Sequence, residues 1–481
     1  MIFNSFSFLI FITVVFTLYW VVNNKSIAHQ NLLIVVASYT FYGWWDWKFL
    51  SLIMFSTLVD FSIGILLLKK ERRRKLLLAT SIIINIGLLG FFKYFNFFID
   101  SLINSVALLG YELNMTTLNI GLPIGISFYS FQTLSYTFDI YKRKIEPTRD
   151  FIAFAAFVSF FPQLVAGPIE RASSLLPQFY QKKVFDLKKA VDGLRQILWG
   201  LFKKMVIADN CAEYVNLIFD SSNDFSGSTL LLGAFFFSFQ IYGDFSGYSD
   251  IAIGSARLFG VDLNRNFAYP YFSRDIAEFW RRWHISLSTW FRDYLYIPLG
   301  GSRGTIINRV KNTFVIFLVS GLWHGANWTF VMWGLIHAVL FIPLLLGKKN
   351  RNHMDIVGGK RMAAPVGDVL RIISTFIIVS ISWIFFRADS IGQAINIVDR
   401  IFSFSIVSIP DLQGYGDPIV TILLVVLLIG VEWIGKNKKH ALENMENLMS
   451  RPTRWALYSI LIFLIGMFMV SDETPFIYFQ F

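Results

Sequence analysis

Apolar segments long enough to cross a bilayer recur along the chain and constrain its fold more than any other feature. Segments such as 4–22, 48–68 and 418–434 carry few charged residues, and about 20 residues suffice for a spanning helix. Only 16% of the 481 residues are charged, whereas soluble domains carry about a quarter. Hydrophobic residues make up 55%, including 51 Phe and 14 Trp. We therefore predict an all-α polytopic membrane protein and exclude a soluble multidomain enzyme, a disordered chain and a disulfide-stapled secreted scaffold.

Lysine and arginine are concentrated in particular loops. Runs of basic residues occur at 69–75, 142–149, 182–189, 303–311, 348–361 and 436–439. By contrast, 99–117 and 206–256 contain no Lys or Arg. Because cytoplasmic loops of membrane proteins carry the excess of basic residues, the first group is predicted to face the cytoplasm and the second to face outward. Topology therefore explains the net charge of +11 better than nucleic-acid binding does.

The alternation of these loops orders the spans. The predicted spans are 4–22, 31–45, 48–68, 76–98, 118–140, 190–208, 228–242, 366–386, 418–434 and 454–470. We expect roughly 11 spanning helices in all, with both termini on the extracytoplasmic side. Residues 2–22 are interpreted as the first span and not as a cleavable signal, because no basic region precedes them and no small-residue cleavage site follows.

The central third of the chain is less regular. Residues 151–167 and 243–300 interrupt their apolar blocks with prolines or charged residues, and neither is a clean span. Irregular backbone at membrane depth survives only where protein buries it or where it lines a wet cavity. We predict re-entrant or broken helices around a central polar chamber, within a single membrane-embedded domain 1–481 whose catalytic core covers 120–390.

His324 is the first candidate catalytic residue. It lies in SGLWHGANW (320–328), between apolar runs that place it at membrane depth. A neutral imidazole is a natural general base at neutral pH; the alternative is a histidine that only packs between helices. Trp323 and Asn327 of the same segment are predicted to support the chamber.

His284 is the second candidate. It lies in EFWRRWHISLSTWFRDYL (278–295), a stretch of helical period in which cations stand beside aromatic residues. One interpretation is an interfacial amphipathic helix whose Arg side chains reach lipid phosphates. The other is an anion site for a phosphate-bearing donor next to a catalytic histidine. The predicted donor-binding residues are Arg281, Arg282, Arg292 and Trp283.

A third polar patch follows an apolar run at 240–250 and contains Asp244, Tyr248 and Asp250. The structural interpretation is that the two carboxylates pair with arginines of the 274–292 segment. Otherwise they shape the chamber or orient a histidine. Both interpretations stay open at this point.

Other reactive residues have simpler interpretations. His337 lies on an apolar helix and is expected to be buried with its hydrogen bonds satisfied. The lone Cys211 is expected to pack in the core as a small apolar side chain. No two histidines have helical ligand spacing and no H-E-x-x-H occurs. No metal site is therefore predicted.

Taken together, these segments resemble the membrane-bound O-acyltransferase family over nearly the whole chain. The most specific motifs are YGDFSGYSD (242–250), FWRRWHISLS (279–288), DYLYIPLGG (293–301) and GLWHG (321–325). Within the family, the chain is most similar to the bacterial branch that includes the membrane proteins of alginate O-acetylation and the D-alanine transfer proteins of teichoic acid modification. The C-terminal PFIYFQF (475–481) also suits the alginate-type members, whereas Gly243 departs mildly from the bulkier residue common there.

The resemblance implies core helices around a funnel through the membrane, with the family's catalytic histidine matching His324 and its second histidine matching His284. It implies a cytoplasmic thioester donor, acetyl-CoA or an acyl carrier protein, and no bound cofactor. The implied acceptor is a hydroxyl of a cell-surface polysaccharide, reached directly or through an extracytoplasmic SGNH-type acetyltransferase partner. The implied location is the bacterial cytoplasmic (inner) membrane.

Three alternatives stay open at the level of sequence. Within the same enzyme class, the chain would transfer D-alanine to teichoic acid. A transporter that moves an acylated lipid or sugar without chemistry fits broken helices and buried charges equally well. A scaffold that docks extracytoplasmic acetylating enzymes would not need His324 at all.

Overall fold

The structure is a computed structural model that describes residues 1–22, 26–118, 121–165, 167–359, 363–412, 418–470 and 476–477. Within these ranges, the regular structure is helical and no β-strand occurs. The prediction of an all-α protein is confirmed. The basic positions Lys360 and Arg361 lie outside the described residues.

The chain divides into two compact units, the first made of Met1–Asp186 and Ala256–Leu263 and the second of Leu187–Ser255 and Asn264–Phe481. The helices of the first unit are α1 (Phe6–Val22), α2 (Ile27–Asp46), α3 (Leu50–Lys69), α4 (Arg74–Leu89), α5 (Phe95–Ala107), α6 (Ile126–Tyr141), α7 (Phe151–Ser159), α8 (Phe161–Leu164) and α9 (Ala172–Leu175). The single domain expected over 1–481 stays a prediction.

A buried polar cluster holds α3, α4 and α6 together in the first unit. Asp60 on α3 is fully buried and accepts hydrogen bonds from Ser81 (2.6 Å) and Asn85 (2.8 Å) on α4. Thr133 on α6 donates in turn to Asn85 Oδ1 at 3.2 Å. Since water is absent at membrane depth, polar groups there must find such partners within the protein.

The second unit carries the motifs singled out in the sequence. Its helices are α10 (Leu187–Leu201), α11 (Asp209–Asp220), α12 (Gly227–Leu258), α13 (Ile276–Arg282), α14 (Ile285–Phe291), α15 (Ile306–His324), α16 (Trp328–Leu346), α17 (Val366–Arg387), α18 (Ile391–Ile401), α19 (Pro418–Gly435) and α20 (Arg451–Phe468). Two π-helical segments, Phe202–Ala208 and Arg292–Tyr296, extend α10 and α14. The last residues of α12, from Ala256 onward, belong to the first unit.

Helix α12 corrects one expectation. The sequence predicts a span at 228–242 followed by irregular backbone, but the structure has one continuous helix of 32 residues from Gly227 to Leu258. The polar residues 242–250 therefore lie on a regular helix. The charges that suggested a break are instead neutralised by cations from the neighbouring π-helical segment, as described below.

A tight helical hairpin, α15–α16, positions His324. A side-chain carbon added at Gly321 would lie 2.2 Å from the carbonyl oxygen of Phe330, and one at Gly334 would lie 2.3 Å from that of Phe317. Only glycine permits backbones to approach so closely, as small residues do at helix contacts in membranes. The hairpin therefore fixes the end of α15, where His324 is the last residue.

Length and composition identify the helices that can cross a membrane. Five helical stretches of the described chain qualify: Ile27–Lys69, Glu71–Ala107, Trp328–Leu346, Val366–Arg387 and Pro418–Gly435. The first of these contains both α2 and α3. Large apolar side chains such as Ile83, Leu423 and Phe463 are more than 60% exposed, as lipid-facing residues are. The number of roughly 11 spans stays a prediction.

Candidate active site

His324 lies in an aromatic enclosure. Its side chain is 2% exposed, and its ring centroid is 5.0 Å from that of Trp323, 5.2 Å from Trp333 and 5.3 Å from Phe386. The residue after it, Gly325, turns the chain toward α16, where Phe330 packs so closely that a side chain at 325 would overlap its ring. The enclosure removes the imidazole from bulk solvent.

His284 occupies a break between two short helices. The sequence predicts one helical stretch across 278–295, but α13 ends at Arg282 and His284 has the left-handed backbone conformation, with φ of +44°. Such a conformation is uncommon for a residue with a side chain and costs free energy. Asn266 holds the break, because its carbonyl accepts from Ile285 N (2.9 Å) and its side chain accepts from Ser286 Oγ (2.9 Å).

The same break fixes the tautomer of His284. The backbone N–H of Leu287 donates to Nδ1 of His284 at 3.3 Å, so the imidazole is the N-terminal cap of α14. An accepting Nδ1 carries no proton, and the neutral ring then has its proton on Nε2. Nε2 is buried and has no hydrogen-bond partner among the described residues. His284 thus presents a hydrogen-bond donor that no group of the described chain uses.

The two imidazoles lie side by side. Their ring centroids are 6.3 Å apart at an angle of 74°, and Trp323 contacts both, at 5.9 Å from His284 and 5.0 Å from His324. Phe245 of α12 packs on His284 at 4.6 Å. The structure therefore brings together the two histidines singled out in the sequence, together with the predicted supporting residue Trp323.

Three more buried indoles form a cluster, in which Trp333 contacts His324 at 5.2 Å. Trp333 stacks on Trp383 at 5.4 Å, and Trp383 contacts Trp283 at 5.0 Å. All three are fully buried, and their Nε1–H groups lack a hydrogen-bond partner among the described residues. A buried donor left unpaired is costly, so these three N–H groups call for a partner that the described residues do not supply.

His337 has a different environment from the other two histidines. It is fully buried, with Trp280 Nε1 donating to its Nδ1 at 3.3 Å and Ser382 Oγ 3.1 Å from its Nε2. Both ring nitrogens are therefore occupied. The prediction of a satisfied buried histidine is confirmed.

The acidic patch on α12 pairs with lysines and not with the arginines of the 274–292 segment. Lys203 Nζ is 2.6 Å from Asp250, and Lys204 Nζ is 2.9 Å from Asp244. Both lysines lie on the π-helical segment Phe202–Ala208 and are almost fully buried. The structural interpretation was right about ion pairing and wrong about the partners. Cations inside the apolar span 190–208 were the overlooked signal, since charges at membrane depth are rare.

Two other predicted supporting residues have local roles. Asn327 caps α16, because its side chain accepts from Thr329 N at 3.0 Å, and it donates to the carbonyl of Asp389 at 3.1 Å. Tyr248 is buried against Phe476, 4.6 Å away. Asp244 Oδ2 accepts from the backbone N–H of Ile477 at 2.6 Å. The other residues of the C-terminal motif, Pro475 and Tyr478–Phe481, lie outside the described residues.

A cavity of about 500 Å³ lies on one side of the hairpin. Its walls include Trp280, Leu287, Ser288, Phe291, Arg292, Tyr296, Ser302, Arg309, Thr313, Ile316, Phe317, Ser320, Phe341, Leu345, Lys348, Asn350 and Arg351. Cations and apolar side chains thus share the wall. Ser320 lies one helical turn before His324, whereas neither His284 nor His324 lines the cavity. This cavity therefore ends one helical turn short of His324, and a funnel that reaches His324 stays a prediction.

The predicted donor-binding residues separate in the structure. Arg292 lines the cavity and pairs with Asp293 at 2.7 Å. Arg281 and Arg282 are absent from the cavity wall: the first donates to backbone carbonyls of the 350–353 segment, and the second pairs with Glu278 at 2.6 Å. Trp283 is buried in the indole cluster. Arg309, Lys348 and Arg351 are cavity cations that the sequence analysis missed.

The comparisons with known proteins decide the family. The model of MBOAT, the membrane-bound O-acyltransferase family, matches residues 98–386, which include both histidines of the site. The chain belongs to the membrane-bound O-acyltransferase family. As a member of this family it is a multi-pass membrane protein and an O-acyltransferase.

Curated relatives agree with the family model. A "Probable alginate O-acetylase" of Azotobacter vinelandii is 39% identical over 90% of this chain and 84% of its own length. A "Peptidoglycan O-acetyltransferase" of Helicobacter pylori is 31% identical over 95% of this chain and 92% of its own length. A "Teichoic acid D-alanyltransferase" of Bacillus subtilis is 30% identical over 45% of this chain and 57% of its own length. The similarity to the two acetylating proteins thus extends over twice as much of the chain.

Residue types that bind metal ions in other proteins do not form a cluster in the described part of this chain. Among the described residues, no group of three or more His, Cys, Asp and Glu side chains has the geometry to hold a metal ion. Cys211 is fully buried.

Proposed function

We propose that this membrane-bound O-acyltransferase transfers an acetyl group from a cytoplasmic thioester toward a hydroxyl of an extracytoplasmic polysaccharide. The observation that carries the proposal is the pair of buried imidazoles, 6.3 Å apart, beside a cavity with a cationic wall. Acetyl is favoured over D-alanyl because the acetylating relatives align with almost the whole chain and the D-alanyl relative with less than half.

His324 acts in this proposal as the general base. It takes the proton of the acceptor hydroxyl while the oxygen attacks the thioester carbonyl, so that a C–O bond forms and a tetrahedral oxyanion develops. When the C–S bond breaks, the thiolate leaves and takes that proton back from His324. The products are the acetyl ester and the free thiol. A positioned base of this kind contributes roughly 10²- to 10⁴-fold in rate.

His284 supplies a hydrogen bond and not a base. Its Nδ1 already accepts from Leu287 N, so only the Nε2–H faces a reactant. A donor fixed before the reaction stabilises the oxyanion without reorganisation, and one such donor is worth roughly 10²- to 10³-fold. The unpaired indole N–H groups of Trp283, Trp333 and Trp383 are further donors in the same enclosure. A first acyl relay through His284 would instead need the same Nε2 in its unprotonated form.

The donor enters through the cavity in this proposal. Arg292, Arg309, Lys348 and Arg351 line it, and these cations suit the phosphates of acetyl-CoA or of the phosphopantetheine arm of an acyl carrier protein. Arg309, Lys348 and Arg351 lie in basic loops that the positive-inside rule assigns to the cytoplasm. A rearrangement around Ser320 would then admit the thioester end to His324.

The remaining parts of the proposal concern location and partners. The chain resides in the bacterial cytoplasmic membrane with both termini extracytoplasmic, in accordance with its basic loops. The acceptor is a polysaccharide or peptidoglycan hydroxyl, as the names of the relatives suggest. An SGNH-type acetyltransferase on the extracytoplasmic side completes the transfer.

The proposal is tested with purified protein and acetyl-CoA labelled in the acetyl group. Wild-type protein with an acceptor polysaccharide, and with the partner where one is needed, should release CoA and label the polymer. H324A should lower the rate at least about 10²-fold, since a positioned base is lost. H29A is the matched control, because His29 is exposed on α2. Wild-type turnover by H324A, or transfer of D-alanine with no acetyl transfer, would overturn the proposal.

A further inference from the structure

The arginines of α13 contact backbone instead of the cavity. Arg281 donates to the carbonyl oxygen of Asn350 at 2.7 Å and to that of His353 at 2.7 Å, through its two terminal nitrogens. A planar guanidinium holds two acceptors in a fixed geometry, which an ammonium group cannot do. One side chain therefore ties two positions of the segment between α16 and α17.

Two more arginines anchor the same segment farther along. Arg274 donates to the carbonyl oxygen (3.0 Å) and to the carboxylate (2.9 Å) of Asp355, and Arg282 donates to that carbonyl at 3.3 Å. The buried Glu278 accepts from both arginines and orients them. The hydrogen bond from Arg274 lowers the pKa of the Asp355 carboxyl, so this anchor stays charged at neutral pH.

The anchored segment, 347–359, forms part of the cavity wall. Residues 347–349 are held by backbone hydrogen bonds to the last turn of α16, whereas residues 350–359 form turns and bends without a helix. Lys348, Asn350 and Arg351 line the cavity. Lys348 has the left-handed backbone conformation, with φ of +55°. Its backbone N–H donates to the carbonyl of Leu345, so this conformation belongs to the turn that ends α16.

We propose that Arg281 is a positioning residue for the acyl donor, acting through segment 347–359. It holds the backbone of that segment at residues 350–353 so that Arg351 remains on the cavity wall, where it meets the phosphates of the donor. The inference rests on the proposed function of the cavity as the donor site. The sequence alone suggested that Arg281 contacts the donor phosphate directly, and the inference assigns it this indirect role instead.

The first test measures the segment without any turnover. Trypsin cleaves after Lys348, Lys349 and Arg351 when the backbone can leave its anchored path. In full-length protein without donor, R281A should speed cleavage at these sites at least about tenfold, since a hydrogen bond to a charged group is worth about that factor. R281K should be intermediate, and R73A, which removes an exposed arginine of another loop, should match wild type.

The outcomes of this test are distinct. Wild-type cleavage rates in a folded R281A protein would overturn the inference, because direct phosphate contact would not protect the segment in the absence of donor. Should R281A fail to purify as a monodisperse protein, R281K carries the comparison, and unchanged cleavage there has the same meaning. Neither result depends on acetyl transfer, so the proposed function is tested separately by H324A.

The second test uses kinetics and a double mutant. R281A should raise KM for acetyl-CoA about tenfold or more, because the donor-binding wall is disturbed. The value of kcat should change much less, because His284 and His324 keep their contacts. R351A should raise KM as well. If Arg281 acts through the segment, the double mutant should be little worse than R351A alone. Additive effects of the two substitutions would overturn the inference.

Discussion

At the scale of single residues, His284 is the position at which backbone and chemistry are most closely linked. Its ring caps α14 through Nδ1 and leaves Nε2–H free of any partner among the described residues. The two functions are separable by substitution. Asparagine tolerates left-handed backbone and is a good N-cap, but it has no group that reaches as far as Nε2.

We predict that H284N keeps the fold and loses the reaction. The free energy of unfolding should change by less than about 1 kcal/mol, because the cap is retained. The value of kcat should fall roughly 10²- to 10³-fold, because an oxyanion donor is lost. Thermal unfolding and steady-state rates measure the two effects. H284A should lose both the cap and the donor. An H284N protein with near wild-type kcat would show that Nε2 does not meet the reacting atoms.

The two histidines could be singled out from the sequence, but the tautomer of His284 could not be predicted from it. His324 stood out as an imidazole between apolar runs and His284 as one beside cations and aromatic residues, and both lie in family motifs. The tautomer of His284 was not predictable, because it depends on a break that Asn266 holds from a distant part of the chain. Lys203 and Lys204 were predictable in principle as cations within a span. Their partners on α12 were not, because they depend on how the helices pack, and that packing cannot be read from a single sequence.

At the scale of elements, glycines set how closely α15 and α16 approach and thereby where His324 lies. We predict that G321V destabilises the protein, because the new side chain would meet the Phe330 carbonyl oxygen, 2.2 Å from its first carbon. Overpacking of this kind costs about 1–3 kcal/mol or more. The melting temperature in detergent and the acetyl transfer rate should both fall.

The matched control is a glycine with room around it. A side-chain carbon at Gly466 on α20 would have no atom within 4 Å, and alanine is favoured over glycine inside a helix by about 1 kcal/mol. G466A should therefore be neutral or slightly stabilising. Equal tolerance of G321V and G466A would mean that the hairpin is looser than the structure describes.

Element boundaries near the site were harder to predict than the elements themselves. The helical period of 278–295 is real, yet the chain interrupts it at His284, because capping by the imidazole and the bonds to Asn266 compensate for the broken ladder. The opposite occurred on α12, where charges suggested a break. There Lys203 and Lys204 neutralise the carboxylates, and the helix continues. In both cases tertiary contacts determined whether the helix is interrupted or continues.

At the scale of the whole molecule, the basic loops predict the orientation of the chain. Arg72 lies in an exposed loop rich in Lys and Arg, whereas Glu112 lies in an exposed stretch without them. The positive-inside rule places the first in the cytoplasm and the second outside. Both positions belong to the first unit, so the comparison does not depend on how the two units are arranged.

We predict opposite labelling of cysteines placed at these two positions. The chain has one native cysteine, the buried Cys211, so C211A provides a background without reactive thiols. In intact spheroplasts, a membrane-impermeant maleimide should label E112C. It should label R72C only after the membrane is opened, because the bilayer separates the reagent from that loop. The reverse pattern would mean that the positive-inside rule misassigns these loops, and the cytoplasmic entry proposed for the thioester rests on the same rule.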